Sequence, residues 1–369
     1  MKLVSLNLPK TIITANFYDE LSKIIKNKKC IIFTSKFWSD NKLLKHFKKN
    51  NKTIEIIDDI EPNPKLDNVF KININLKEAN YVICLGGGSV IDFAKAVIAF
   101  HGCDRNRKFF QETITFNKKF DLKMIPKIIA IPTTSGTGSE LNSWGTIWQE
   151  KNKYSVSGDK LLPSIIILDS SLCITMPVSL TISSGLDAFS HALESIWNKN
   201  NNPIVDEISK IAIKKIKKYL PLVLEDKENL KYRKEMQLAA FFAGIAMSKT
   251  KTAICHSISY PLTSLFGLSH GIACSLTLSE VSKLMIKKHE TRCAIISEAM
   301  GCNNQKLEKT ILEFLKKINY GKYLNQIKNI TMDESINFIN PARAKNSLLK
   351  VSNNDAINMI HNAIGKLAL

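Results

Sequence analysis

The chain has 369 residues, too many for one ordinary hydrophobic core and about right for two. Apolar residues make up 44% and charged residues 23%, a globular composition in which no segment approaches the roughly 18–20 apolar residues of a membrane span. The net charge of +19 raises nucleic acid as a partner. Arginine, the better phosphate and base reader, is confined to Arg105, Arg107, Arg233, Arg292 and Arg343, and the lysines travel with asparagine and isoleucine throughout. A lysine-rich nucleic-acid-binding protein is therefore the remote alternative, and neither nucleic acid nor membrane is the expected partner.

The N-terminus, MKLVSLNLPK, lacks the apolar core and cleavage site of a signal peptide, so a cytoplasmic location is expected. Cys30, Cys84, Cys103, Cys173, Cys255, Cys274, Cys293 and Cys302 form no C-x-x-C pair and read as reduced core thiols.

Short β-branched runs then recur at residues 30–34, 53–57, 81–85, 128–131 and 165–168, separated by helical or turn-forming stretches. Such alternation predicts a parallel, doubly wound α/β layer whose ligands bind beyond the carboxyl ends of the strands. Gly86, Gly87, Gly88 and Ser89 follow the third run and precede a helix over 90–100. Three glycines allow a tight turn and a close backbone approach, and the free N–H groups of a helix start suit a phosphate. Ser89 reads as the N-cap, with Asp92 reaching back to it. The spacing is not G-x-G-x-x-G. Beyond the fourth run comes a hydroxyl-rich loop that includes Thr133, Thr134 and Thr137.

After Asp169 the pattern becomes helical, with Pro177, Pro203, Pro221 and Pro261 near helix starts or breaks, so a boundary is expected near residues 170–177. Residues 184–194 read as a helix start that carries Asp187 and His191 on one face. His256 and His270 follow in apolar or small-residue surroundings. One carboxylate and three imidazoles suit a borderline divalent ion, Fe²⁺ or Zn²⁺.

The segments GGGSVIDFAK (86–95), IPTTSGTGSE (131–140) and SGLDAFSHALES (184–195), with His256, His270 and Gly271, resemble the iron-containing alcohol dehydrogenases, a group that shares its architecture with glycerol dehydrogenase and dehydroquinate synthase. The resemblance implies an α/β dinucleotide-binding domain over 1–175, an all-α domain over 176–369, an active site in the cleft between them, and a homodimer. It implies that Gly86 to Ser89 take the cofactor pyrophosphate, that Thr133, Thr134 and Thr137 lie along the cofactor, and that Lys153 contacts its ribose or nicotinamide end. Asp187, His191, His256 and His270 fall on the family's metal ligands, with Fe²⁺ the expected ion and Zn²⁺ the alternative. The implied reaction is reduction of a small aldehyde by NADPH or NADH.

Two positions depart from the family. Tyr260 stands where many members carry a proton-relaying histidine; a tyrosine, which ordinarily titrates near about 10, donates a hydrogen bond but shuttles protons poorly at neutral pH. Lys249 stands where relatives often carry asparagine. Seven residues before His256, it is expected to share that ligand's helix face and, with Lys251, to bind an anionic substrate. Asn142 and Trp144 are assigned to the same pocket. With Trp144, Trp148, Lys153, Tyr154 and Ser155, and Ile196, Trp197 and Asn198, the wider segment resembles the phosphonoacetaldehyde reductase branch, whose product is 2-hydroxyethylphosphonate. A reductase of uncharged aldehydes or a glycerol-dehydrogenase-like enzyme is the alternative, and a dehydroquinate-synthase-like lyase a more distant one. Ser35 and Lys36, ending the first run, lack the aspartate that would repel a 2′-phosphate, so NADPH is expected to be accepted.

Overall fold

The computed structural model describes residues 6–41, 44, 54–150, 152–327 and 335–367. Its strands are β1 (Lys10–Thr14), β2 (Cys30–Phe33), β3 (Ile54–Ile57), β4 (Tyr81–Gly86), β5 (Lys127–Pro132), β6 (Trp144–Gln149), β7 (Asn152–Ser157) and β8 (Ile165–Asp169). Among the described residues, six of them form a parallel sheet in the order β1-β8-β5-β4-β2-β3, and β6 and β7 form a separate antiparallel hairpin. Residue 53, expected to open β3, lies outside the described residues.

The chain divides into two compact units, one of residues 7–134 with Ser139–Cys173, the other running from Ile174 onward and including Ser135–Gly138. In the first, the sheet is buried on both faces, which is why its strands read as continuous apolar runs rather than alternating ones. Ile31, Phe33, Val82, Cys84, Ile128 and Ala130 face one side, where they pack with the Gly88–Gly102 helix through Val90, Ala94 and Val97. Cys30, Ile32, Ile83, Leu85, Ile129, Ile131 and Ile167 face the other, against Phe17, Leu21 and Ile25 of the Phe17–Ile25 helix.

Two elements carry little apolar signature. β1 is polar at both ends and largely unburied, and the β6–β7 hairpin mixes tryptophan, threonine and lysine around a turn with Glu150 at φ 52°. The hairpin is anchored where Thr146 N donates to Asp92 Oδ2 at 2.8 Å and where Trp148 N donates to Pro64 O.

The second unit is built of helices, including Val178–Ile196, Pro203–Glu225, Leu230–Thr250, Ile254–Ser264 and His270–Ser275. Pro177 and Pro203 sit at helix starts as expected. Pro221 and Pro261 instead lie inside helices, where each lacks the N–H that would bond the carbonyl four residues earlier. Residues 184–194 are not a helix start. The helix begins at Val178, so Asp187 and His191 lie deep within it. Its entry is clamped by the buried Arg233, which donates to Lys227 O, Thr181 Oγ1, Ile174 O and Met176 O. Among the described residues no helix is long and apolar enough to cross a membrane.

Candidate active site

Asp187 and His191 are one turn apart on the Val178–Ile196 helix, and His191 Nε2 lies 3.5 Å from Asp187 Oδ1. His256, in the first turn of the Ile254–Ser264 helix, brings its Nε2 to 3.4 Å from the same oxygen. His270, first residue of the His270–Ser275 helix, brings its Nε2 to 3.8 Å. All four residues singled out in the sequence thus meet around one carboxylate oxygen. The rings of His191 and His256 stack at 4.8 Å, and that of His270 stands edge-on to His256 at 5.4 Å. Burial works to raise the Asp187 carboxyl, but His191, His256 and His270 overcome it and hold it well below the usual carboxylate range.

The close approach of these helices depends on Gly271. A Cβ at this position would stand 1.7 Å from Ser183 O and 3.0 Å from Asp187 N, so only glycine lets the two backbones touch.

Glu194, on the same helix, is fully buried and serves as an acceptor. Its carboxylate accepts from Ala253 N at 2.8 Å, Cys255 N at 2.5 Å, His256 N at 3.3 Å and His256 Nδ1 at 2.6 Å. It caps the Ile254–Ser264 helix and fixes the His256 tautomer, leaving Nε2 to face the Asp187 cluster. Such carboxylate–imidazole pairs orient metal-ligating histidines. Its sequence signal was the three-residue spacing from His191. Cys274, read as an ordinary core thiol, also belongs here: its Sγ lies 3.6 Å from both ring nitrogens of His270. The donor atoms of Asp187, His256, His270 and Cys274 lie within 4.8 Å of one another. One carboxylate with several imidazole nitrogens, one of them locked in place, is a donor set that fits a borderline divalent ion.

In the α/β unit, Gly86 closes β4, and the helix begins at Gly88 with Gly87 as N-cap. Ser89 is therefore within the first turn and is not the cap. Its Oγ accepts from Asn63 N at 3.3 Å, while the Asp92 carboxylate turns to the β6 backbone instead of reaching back. Glycine leaves the cap with a bare backbone, which suits a phosphate better than a serine cap would. Thr133 N donates to Gly86 O, and Thr134 lies so close to Gly87 that a Cβ there would meet its Cγ2 at 3.1 Å. The two loops singled out in the sequence are therefore in contact. Thr137 falls in the Ser135–Gly138 segment, which groups with the helical unit.

Asn142 is spent on structure: its side-chain oxygen accepts from Lys95 Nζ at 3.0 Å and from Trp144 N at 3.0 Å. The buried Lys95 also donates to Ser139 O, Asn142 O and Trp144 O, stapling the Gly88–Gly102 helix to the loop ahead of β6. Trp144 opens β6, and Lys153 Nζ lies 5.6 Å from the Trp148 ring centroid. Ser35 stands at the N-cap position of the short Lys36–Ser39 helix without a side-chain capping bond, and Lys36 Nζ lies 3.8 Å from Asp58 Oδ1.

Lys249 and His256 do not share a helix face, contrary to expectation. The Leu230–Thr250 helix ends before Lys251, whose φ of 64° breaks it, and a new helix starts at Ile254. No glycine marks the break, so the sequence periodicity runs straight across it. Lys249 is half-buried in the last turn, and burial pushes its ammonium down from its ordinary value. Thr250, which ends the same helix, is fully buried and bonded to Ser195 Oγ and Ala246 O. Tyr260 lies one turn beyond His256, and its Oη accepts from Arg343 Nε at 2.9 Å.

Residues 9–170 match the model of the iron-containing alcohol dehydrogenases, and residues 181–348 match that of the C-terminal part of the Fe-containing alcohol dehydrogenase family. Among relatives, the NADPH-dependent butanol dehydrogenase of Clostridium saccharobutylicum is 30% identical over 86% of this chain and 84% of its own. The NAD-dependent methanol dehydrogenase of Bacillus methanolicus is 32% identical over 76% of this chain and 74% of its own. Among solved structures, the sulfoacetaldehyde reductase from Bifidobacterium kashiwanohense in complex with NAD+ superposes with a TM-score of 0.88 and 26% identity, over 99% of both chains. With its α/β dinucleotide-binding region, its helical C-terminal region and these matches along nearly its whole length, the chain belongs to the iron-containing alcohol dehydrogenase family, NAD(P)-dependent oxidoreductases of small alcohols and aldehydes.

Proposed function

We propose that this enzyme uses a divalent ion on Asp187, His191, His256 and His270 to reduce a small anionic aldehyde, with phosphonoacetaldehyde the leading substrate and 2-hydroxyethylphosphonate the product. Aldehyde, NAD(P)H and one proton give primary alcohol and NAD(P)+. The convergence of three imidazole Nε2 atoms on one Asp187 oxygen carries the metal-dependent part of this reading. When bound, the ion supplies Lewis acidity toward a carbonyl oxygen, and the nicotinamide supplies the hydride. The chain supplies placement: Glu194 holds His256 in register, and Gly271 sets the distance between the helices that carry Asp187 and His270. Tyr260, its oxygen held by Arg343, contributes a hydrogen bond, and the proton itself arrives through water or the cofactor ribose. The family's name favours Fe²⁺, and the donor set accommodates Zn²⁺.

Gly86 to Ser89 take the pyrophosphate, and Thr133, Thr134, Thr137 and Lys153 lie along the cofactor. Ser35 and Lys36 accept a 2′-phosphate. Asp58 shares the charge of Lys36, so NADPH is used alongside NADH rather than to its exclusion.

Three observations favour an anionic substrate. Lys249 is a half-buried ammonium whose desolvation an anion would offset. The net charge of +19 attracts anions. The Bifidobacterium structure is named for sulfoacetaldehyde, a two-carbon aldehyde with a tetrahedral anionic head like that of phosphonoacetaldehyde. Initial rates with phosphonoacetaldehyde, sulfoacetaldehyde and propionaldehyde, for wild type and Lys249→Ala with either cofactor, test this. The expected result is a preference of ~10-fold or more for the phosphonate, lost in the variant, as removal of a charge-assisted contact implies. Equal slowing of all three substrates, or a preference for propionaldehyde, makes the enzyme a reductase of neutral aldehydes. Absence of net cofactor turnover would point to a lyase.

A further inference from the structure

We propose that Asn198 and Asn346 are positioning residues for His256: their side-chain amides clamp a backbone turn at Lys251 that lysine itself disfavours, and that turn sets where the His256 helix begins. The inference rests on the metal-binding reading above and adds residues outside its ligand set.

The Leu230–Thr250 and Ile254–Ser264 helices are joined by Lys251, Thr252 and Ala253. Lys251 has φ 64° and ψ 173°, a combination that glycine adopts readily and a residue with a Cβ does not. Released, a lysine would relax toward ordinary extended or helical backbone and swing the start of the next helix. His256 lies in the first turn of that helix, so the swing would carry its ring away from Asp187.

Two asparagines oppose the relaxation. Asn198 Nδ2 donates to Lys251 O at 3.0 Å, and Asn346 Nδ2 donates to Thr252 O at 2.9 Å. Both side chains are buried, which limits the rotamers open to their amides. Asn198 Oδ1 accepts from Asn200 N at 3.0 Å, which leaves Nδ2 turned toward Lys251. The two arms also brace each other. Lys199 N donates to Asn346 O at 2.8 Å, Leu348 N donates to Trp197 O at 3.2 Å, and Asn198 forms an antiparallel bridge with Ser347. Carbonyls of the turn are thus held by asparagine, and the N–H of Ala253 just beyond it is held by Glu194 at 2.8 Å.

The test uses full-length protein stripped by chelator, for wild type, Asn198→Ala, Asn346→Ala, Lys251→Gly and the double variant Asn346→Ala/Lys251→Gly. Zn²⁺ affinity is read by competition against a chromophoric chelator, and the melting temperature is read on the metal-free proteins. Lys251→Gly should melt higher by about 2 °C or more, although glycine ordinarily loosens a chain. Each asparagine variant should bind Zn²⁺ ~10-fold more weakly, as loss of a group that orients a ligand implies. In the double variant the affinity should return to within ~3-fold of wild type, because glycine takes up the turn without being forced into it. That rescue is what a merely structural asparagine would not give. Additive losses in the double variant, a lower melting temperature for Lys251→Gly, or wild-type affinity in both asparagine variants each overturn the clamp and leave the Asp-and-histidine centre standing. If an alanine variant does not fold, Asn346→Asp, which keeps the shape and removes the donor, takes its place in the same cycle. Failure of wild type to bind Zn²⁺ overturns the metal reading and the clamp together.

Discussion

In the α/β unit the groups available to the proposed cofactor are backbone N–H groups at a bare helix start, Gly87 and Gly88, where a Cβ on Gly87 would stand 3.1 Å from Thr134 Cγ2. In the helical unit the groups of the proposed metal site are side chains, Asp187, His191, His256 and His270, carried on three helices. The first kind of site is specified by what must be missing. The second is specified by which side chains are present and by what aims them. Changes to the two should therefore fail differently, one through added bulk and the other through lost donors or lost alignment.

The largest expected effect is the loss of a donor. His256→Ala should release the metal, measured by elemental analysis, and lower kcat/KM on the order of 10³-fold, while the far-ultraviolet circular dichroism stays native. Full activity in a metal-free variant would remove His256 from the ligand set. Next, Gly271→Ala forces a Cβ against Ser183 O and tests whether the side-chain site also depends on an absence. Thermal or urea unfolding should show a loss of about 3 kcal/mol, typical of overpacking in a rigid contact. An unchanged melting temperature would mean that the two helices are free to separate.

Gly87→Ala addresses the backbone site alone. A Cβ at 3.1 Å from Thr134 Cγ2 crowds the loop pair, so Kd for NAD(P)H by fluorescence should rise ~10-fold with metal content unchanged. An effect on metal content instead of cofactor would break the separation between the sites.

A last effect, on stability alone, concerns Glu140, 5% exposed, whose carboxyl burial pushes up to about 7. A folded pKa above the unfolded value means the folded state binds the extra proton. The associated stability is fully present below about pH 4.5 and is lost as pH rises through about 7. Glu140→Gln, which mimics the protonated acid, should therefore be roughly 2 kcal/mol more stable than wild type at pH 8, with the gap closing toward pH 4.5. Parallel melting curves across that range would count against it.

The legibility of the two regions follows the same contrast. Buried parallel strands announce themselves as β-branched runs, so β2, β4, β5 and β8 were readable to within two residues at either end. β1 and the β6–β7 hairpin were not, because their residues are too polar to mark burial. That Asp187, His191, His256 and His270 come together was legible from residue type and motif. Glu194 and Cys274 stand at helical spacings from His191 and His270, yet a spacing does not say what a neighbouring helix brings opposite, and here that decides their contacts. The break at Lys251 was invisible because a positive φ at lysine leaves no compositional trace, and with it went the argument that aligned Lys249 with His256. Ser89 misled for the reverse reason: serine is a favoured cap, but the preceding glycines allow the helix to start earlier.

Glu194 has a kinetic consequence. Because one carboxylate both terminates the Ile254–Ser264 helix and grips His256 Nδ1, the ring is immobilised when the chain folds, before any ion arrives. Ion capture at the proposed centre would then require little additional ordering, because folding has already fixed the ring that would receive it. The metal-free protein should thus load quickly, and the rise in its melting temperature on loading should track ion concentration as simple mass action on a ready-made site.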